Sequence, residues 1–195
     1  MNDIIKTYEK SNLEYFGNSN SLHKLGLNSK KLEDASVGQI LDVLGLKDKE
    51  LIFTSGNCES YSLIFNNISN DKKIVTDNNE FFDIGKKMNK NIVFDKNLNV
   101  DKDVYLLSTC NDIDLSLYNC LKHVSLKTGY KNYKDCDYIT IEDEIPFFGC
   151  LIKQKNKVLE PIIHGGRSTT KYRSGTAATS LIVSFAKLIK NKYKK

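Results

Sequence analysis

Apolar residues recur every three or four positions over two stretches at the start of the chain, a spacing that predicts two helices. The first runs from about Ile4 to Tyr15, with Ile4, Ile5, Tyr8 and Leu13 tending to one side. The second runs from about Ser21 to Leu44 on Leu25, Leu32, Ala35, Ile40, Leu41 and Leu44. Gly45 is its natural stop, because glycine takes the left-handed conformation that ends a helix. The pattern then shortens: Leu51 to Thr54 reads as a buried strand, Ser55-Gly56-Asn57 as a turn, and Glu59 to Ile68 as a helix. Further strands are expected at 73–76, 91–94, 104–108, 124–126, 138–141 and 150–153, with helices over 80–88 and 114–122. A last helix starts near Thr176 and runs to about Lys192, presenting Ala178, Leu181, Ile182, Phe185, Leu188 and Ile189. Alternating strands and helices predict an α/β fold, a mostly parallel sheet flanked by helices. All these apolar stripes are expected to face the core.

Length and composition give one domain, 1–195. A chain of 195 residues, 40% hydrophobic and 27% charged, is long enough for one real core and short for two. There are no internal repeats, and Pro146 and Pro161 are the only prolines, so no linker divides it. Of the 29 basic residues only Arg167 and Arg173 are arginines, and the net charge is +5. Dispersed lysine reads as a solvated surface, whereas a nucleic-acid reader would show clustered arginine with exposed aromatics. No nucleic-acid partner is expected. The lysine-rich C-terminal run reads as a solvated helix end favoured by the helix dipole.

Five cysteines, an odd number with no C-x-x-C, and three scattered histidines predict neither disulfides nor a zinc site. The N-terminus lacks the apolar run of a signal peptide, and no segment approaches the roughly 18 apolar residues of a membrane span. A soluble, intracellular protein with no membrane partner is the expectation.

The glycine-bearing turns carry the candidate chemistry. Ser55-Gly56-Asn57-Cys58 lies between a strand and a helix N-terminus, where unpaired N–H groups and the helix dipole favour an anion such as phosphate. Cys58 is either a nucleophile activated by the helix start or a buried structural cysteine. With no histidine assigned near it, the structural role is the one expected. Arg173-Ser174-Gly175-Thr176 also precedes a helix, so Gly175 permits the turn and Thr176 would cap it.

Phe16-Gly-Asn-Ser-Asn-Ser-Leu-His23, Ile52-Phe-Thr-Ser-Gly-Asn-Cys-Glu-Ser60, and Glu160-Pro-Ile-Ile-His-Gly-Gly-Arg167 followed by Arg173-Ser-Gly-Thr176 resemble cysteine desulfurases. These are the NifS/IscS-like branch of the class V aminotransferases. Its members typically read F-G-N-P-S-S-L-H, I-F-T-S-G-A-T-E-S and L-H-G-G-G-Q-E followed by R-S-G-T, in the same order. The resemblance spans about Ile4 to Ala186 and is weaker in the middle third. It implies the large domain of a fold-type I pyridoxal-phosphate enzyme, without the small C-terminal domain. It also implies that Gly56, Asn57 and Cys58 hold the cofactor phosphate. Asn111 matches a cofactor-contacting asparagine, and Thr176 reaches the phosphate in a partner subunit. Arg167, Arg173, Ser174, Gly175 and Thr176 would then form an interface loop, in a homodimer or a heterodimer with a related chain.

The departures from the family fall where its chemistry would occur. Cys58 replaces a threonine, exchanging a strong hydroxyl donor for a weak thiol. His123-Val-Ser125 stands where the family reads H-V-D, so a hydroxyl replaces the carboxylate that partners the pyridine nitrogen. Phe81 follows Glu80 where a histidine would stack on the ring. The family's S-x-H-K segment maps onto Ile141-Glu-Asp-Glu144, and no lysine occurs between Lys134 and Lys153. Glu142 and its neighbours would set negative charge near the phosphate position. The catalytic-cysteine loop and substrate arginine of the family have no counterpart in this chain. These departures predict a catalytically inactive desulfurase-like protein with no cofactor, acting as an interaction or structural module. Two alternatives stay open: noncovalent binding of pyridoxal phosphate, a nucleotide or another phosphate ligand, and an active desulfurase or lyase completed by a partner.

Overall fold

A glycine fixes the first boundary. Gly45 adopts φ 69° and ψ 35°, and its N–H returns to the Asp42 and Leu41 carbonyls, closing the second helix. The computed structural model describes residues 2–142, 148–166, 168 and 170–193. Its helices are α1 (Asn2–Glu14), α2 (Lys24–Leu44), α3 (Asn57–Asn66), α4 (Asn79–Lys87) and α5 (Thr179–Tyr193). Its strands are β1 (Lys49–Thr54), β2 (Lys73–Thr76), β3 (Ile92–Phe94), β4 (Val104–Thr109), β5 (Leu121–Ser125), β6 (Tyr138–Glu142) and β7 (Gly149–Gln154). The chain forms two compact units, one of Met1–Lys47, Leu51–Phe53 and Pro161–Lys195, the other of Asp48–Glu50 and Thr54–Glu160.

The seven strands are ordered β1-β7-β6-β5-β4-β2-β3. β3, β2, β4, β5 and β6 run parallel, and β7 is antiparallel to β6. The expected mostly parallel α/β sheet is therefore present. Its central strands are rich in apolar residues, as sheets covered on both faces are: Ile74, Val75, Leu106, Leu107, Ile139, Leu151 and Ile152 are all buried.

Element ends shift by up to three residues from the sequence expectation, and two differences change how the chain is read. The helix expected over 114–122 is one 3-10 turn, Leu115–Leu117, started by the Asp114 carboxylate accepting from the Ser116 N–H at 3.0 Å. From Tyr118 the backbone is extended, and residues 121–124 pair with β4, so ladder bonds outweigh local helix preference. The last helix starts at Thr179, not Thr176, because the Ala178 carbonyl is the first acceptor, bonding Leu181 and Ile182 N–H at 2.9 and 3.0 Å. Thr176 is therefore not its cap.

In the helical unit α5 packs against both α1 and α2. Ile182, Phe185, Leu188 and Ile189 are buried on it as expected, and Ala186 with them, whereas Leu181 is half-buried and Ala178 is exposed ahead of the helix; Phe185 meets Phe53 edge-on at 6.5 Å. The stripes of α1 and α2 depart from expectation. Ile5, Tyr8, Leu13 and Leu25 are exposed, and so is Ala35. The buried seam of α2 is Gly26, Ser29, Glu33, Ser36, Ile40 and Leu44. Small and hydrogen-bonded residues allow α5 a close approach there: the Thr179 hydroxyl donates to Glu33 Oε1 at 2.6 Å. Ile4 of α1 and Ile40, Leu41 and Leu44 of α2 are buried as expected, so periodicity identified the C-terminal half of the α2 face, while the N-terminal half buries small and polar residues instead.

Candidate functional site

The strand-turn-helix unit is present as β1, Ser55-Gly56 and α3. Gly56 is the residue before α3 and holds φ 131°, ψ −170°, a conformation that requires glycine. Thr54 Oγ1 fixes the turn, donating to the Gly56 carbonyl at 3.1 Å and sharing a hydrogen with Ser60 Oγ at 2.9 Å. Gly149 lies against the same turn: a Cβ on it would sit 2.8 Å from the Ile141 carbonyl oxygen and 3.1 Å from Gly56 Cα. The Ser55 N–H donates to the Glu59 carboxylate at 2.8 Å, so part of the anion-favouring turn already faces a carboxylate of the chain. Asn57 is buried, and its Oδ1 has no hydrogen-bond partner among the described residues. Cys58 is exposed, which corrects the expectation of a buried structural thiol. At the second position of α3 it points out of the core and donates to Glu80 Oε1 at 3.5 Å.

Neighbouring loops bring further polar groups to the ends of β2, β4 and β5. Asp77 accepts from Thr109 Oγ1 at 2.8 Å, the Cys110 N–H at 2.9 Å and Asn111 Nδ2 at 2.7 Å. Asn111, expected as a cofactor contact, is thus hydrogen-bonded to a carboxylate of its own chain. Asn78 caps α4 by accepting from the Phe81 N–H at 3.1 Å and donates through Nδ2 to Tyr61 Oη at 3.2 Å. Tyr61 Oη in turn donates to Ser125 Oγ at 3.2 Å. Burial pushes the Tyr61 phenol pKa up, against the lowering by its hydrogen bonds with Ser125 and Asn78.

Below this lies His123, fully buried. Its Nδ1 bonds Ser108 Oγ at 2.8 Å and its Nε2 bonds Thr140 Oγ1 at 3.0 Å, a polar ladder across β4, β5 and β6. Phe81 stacks on the imidazole at 4.8 Å and Tyr61 meets it edge-on at 5.5 Å. Burial lowers the imidazole pKa to about 3, so it is neutral, and hydroxyls that can donate or accept satisfy both nitrogens. Phe81 is itself fully buried in this stack.

The amines lie elsewhere. Lys153 pairs across the β6–β7 ladder with Tyr138, whereas Gly149 pairs with Glu142 at the other end. Four residue steps along the strand separate Gly149 from Lys153, about 13 Å. The Lys153 side chain is fully buried, with Nζ 2.5 Å from Glu50 Oε2. Asp143, Glu144 and the Glu142 side chain, expected to carry charge near the phosphate position, lie outside the described residues.

In the helical unit, Gly175 holds φ 120°, the glycine-requiring turn expected there. The Ser174 N–H donates to the Ile163 carbonyl at 3.1 Å, and the Arg173 carbonyl accepts from Ser168 Oγ at 2.7 Å. Thr176 Oγ1 accepts from Asn18 Nδ2 at 3.5 Å. Arg167 lies outside the described residues.

No protein-family model matches the chain. A NifS/IcsS protein homolog from Lactobacillus delbrueckii subsp. bulgaricus is 25% identical over an alignment of 232 positions, covering 94% of this chain and 60% of that protein. The chain is a relative of the NifS-like proteins. It spans about 60% of the length of that curated relative. Among solved structures, a NifS-like protein superposes with a TM-score of 0.83 at 19% identity, covering 98% of this chain and 66% of the other. A NifS-like protein from Rickettsia africae gives a TM-score of 0.81 at 19% identity, covering 98% and 65%. These structures share the fold-type I architecture with this chain.

A covalently held pyridoxal phosphate does not fit the residues present. Ser125, at the position of the ring-nitrogen partner, is engaged by Tyr61. Phe81 is packed on His123, and Asn111 is bonded to Asp77. Tyr61, Asp77 and Asn78 escaped the sequence reading. Only the Asp-Asn-Asn run after β2 hinted at them, as a cap signal.

Proposed function

We propose that the chain is a non-catalytic relative of the cysteine desulfurases, serving as an interaction or structural module. The position of its amines carries this reading: the strand that resembles the lysine-bearing segment has none, and Lys153 is buried at the far end of β7 on Glu50. A Schiff base needs an accessible neutral amine beside the carbonyl it attacks. A related chain or a second copy is the partner in this reading. Five free thiols support a reducing, intracellular setting. The test is incubation with pyridoxal phosphate and L-cysteine, borohydride reduction and peptide mass spectrometry. No stoichiometric pyridoxyl-lysine and no sulfide release are expected; one stoichiometric adduct at a single lysine overturns the reading.

A second reading, noncovalent binding of a phosphate-bearing ligand, is supported by the buried Asn57 Oδ1 at the start of α3. Pyridoxal phosphate would then raise the melting temperature without an aldimine absorbance band. No change in melting temperature rejects it.

A further inference from the structure

Folding sorts charges that the sequence disperses. The helical unit, Met1–Lys47, Leu51–Phe53 and Pro161–Lys195, holds 14 lysines and arginines against 6 aspartates and glutamates, a net +8. The other unit, Asp48–Glu50 and Thr54–Glu160, holds 15 against 18, a net −3. The helical surplus is not neutralised where it stands. Of the six acids, Glu33 is buried on the Thr179 hydroxyl, and Asp3, Asp34 and Asp42 pair with Lys187, Lys30 and Lys47. Glu9 and Glu14 remain, against Lys6 and Lys10 on α1, Lys24 and Lys31 on α2 and Lys190 on α5. Among the described residues these five lysines make no ion pair. The first four are exposed, and Lys190 is half-buried. Lys6 and Lys10 stand one turn apart, about 6 Å along α1, and Lys24 and Lys31 two turns, about 10 Å along α2. Both spacings are comparable with the Debye length of about 8 Å at physiological salt, so neighbouring charges reinforce one another.

We infer that the helical unit docks an acidic polypeptide segment, one that carries apolar residues among its aspartates and glutamates. Charge complementarity selects an anionic partner, and the makeup of the surface selects its class. Every basic residue of α1, α2 and α5 is a lysine, and both arginines lie in the loop between them and α2 at positions 167 and 173. A nucleic-acid backbone is gripped best by the bidentate fork of arginine, which these helices lack. Ile5, Tyr8 and Leu13 are exposed among the α1 lysines. Phosphates offer nothing to cover them, whereas apolar side chains of a peptide do, as in the mixed centre and polar rim of protein interfaces. Glu9 and Glu14 are exposed on the same helix and would be repelled by an anionic lipid surface laid along it. A peptide can set its carboxylates on the lysines and leave these two to solvent.

The inference stands apart from the loss of catalysis, so the two fail separately. Fluorescence anisotropy of a labelled peptide of glutamates and leucines should show binding that weakens steeply with salt. Lys24→Glu with Lys31→Glu should weaken it about tenfold, and Lys6→Glu with Lys10→Glu likewise, at unchanged helix content because all four side chains are exposed. Lys96→Glu with Lys102→Glu makes the same change in net charge at two exposed lysines of the other unit, and should leave affinity within about twofold. No binding at low salt overturns the inference. So does an equal loss from the Lys96 and Lys102 exchange, which would report net charge and not a surface. Tighter binding of a single-stranded oligonucleotide, or of phosphatidylserine vesicles, than of the peptide overturns it as well.

Discussion

The Tyr61 hydroxyl donates to the Ser125 hydroxyl across 3.2 Å, so a residue of α3 closes over the end of β5. In the resembling family the position of Ser125 holds a carboxylate that serves a bound ring. Here its hydroxyl is one step of a chain from Asn78 through Tyr61.

Tyr61→Phe removes the acceptor of Asn78 Nδ2 and the donor to Ser125, leaving polar atoms of a buried network unpaired. It should cost about 1–3 kcal/mol of unfolding free energy, and Ser125→Ala about 1 kcal/mol. The double variant should cost less than the sum, because both remove one hydrogen bond. Urea denaturation of all four proteins measures the coupling; strict additivity would show that the Tyr61–Ser125 bond contributes nothing.

His123 makes the fold acid-sensitive. Its pKa falls from 6.5 to about 3 on folding because burial disfavours the charge. Between those values the unfolded chain binds more protons, so stability is full above pH 6.5 and declines as pH drops towards 3. The slope contributed by this one group approaches 1.36 kcal/mol per pH unit. His123→Gln keeps hydrogen-bonding groups at the site without the titration, and its urea midpoint should fall less steeply between pH 6 and pH 4. Parallel curves for wild type and variant would refute the assignment.

Glu33 has the opposite sign. Burial raises its carboxyl pKa above 4.5, outweighing the lowering by the Thr179 hydrogen bond. The folded chain therefore holds that proton to higher pH than the unfolded chain. The stability it contributes is present below 4.5 and is lost as pH climbs through the raised value. Glu33→Gln retains an acceptor for the Thr179 hydroxyl and should melt at higher temperature than wild type at pH 8, with the difference shrinking towards pH 4. A variant that melts lower than wild type at pH 8 would contradict this.

Gly149 is where β7 touches the Gly56 turn, and the atoms in the way are backbone. Gly149→Ala should cost about 1–3 kcal/mol, since neither the Ile141 carbonyl nor Gly56 can move without breaking the β6–β7 ladder or the turn. Gly38→Ala meets nothing within 4 Å in mid-α2 and should stabilise by roughly 0.5–1 kcal/mol. Similar effects from the two substitutions, read as shifts in urea midpoint, would remove the argument for close approach.

The sequence by itself determined the order of the seven strands and five α-helices, apart from a helix over 114–122 that does not form, together with the stop at Gly45, the Gly56 and Gly175 turns, and the absence of a lysine between Lys134 and Lys153. Each depends only on neighbours along the chain: a period of two or four residues, a φ that glycine alone adopts easily, a residue type at a motif position. It did not determine which face of α1 and α2 is buried, because Leu13, Leu25 and Ala35 share the helical period equally well whether α5 packs on them or on Ser29, Glu33 and Ser36. Nor did it reveal that residues 121–122 belong to β5 and not to a helix, since the ladder bonds come from the neighbouring strands β4 and β6. The Tyr61–Ser125 bond joins residues 64 apart, and Lys153 meets Glu50 across 103. Side chains so distant in sequence become partners only when the sheet sets their strands side by side, and burial then makes each unpaired polar atom costly enough to fix the choice.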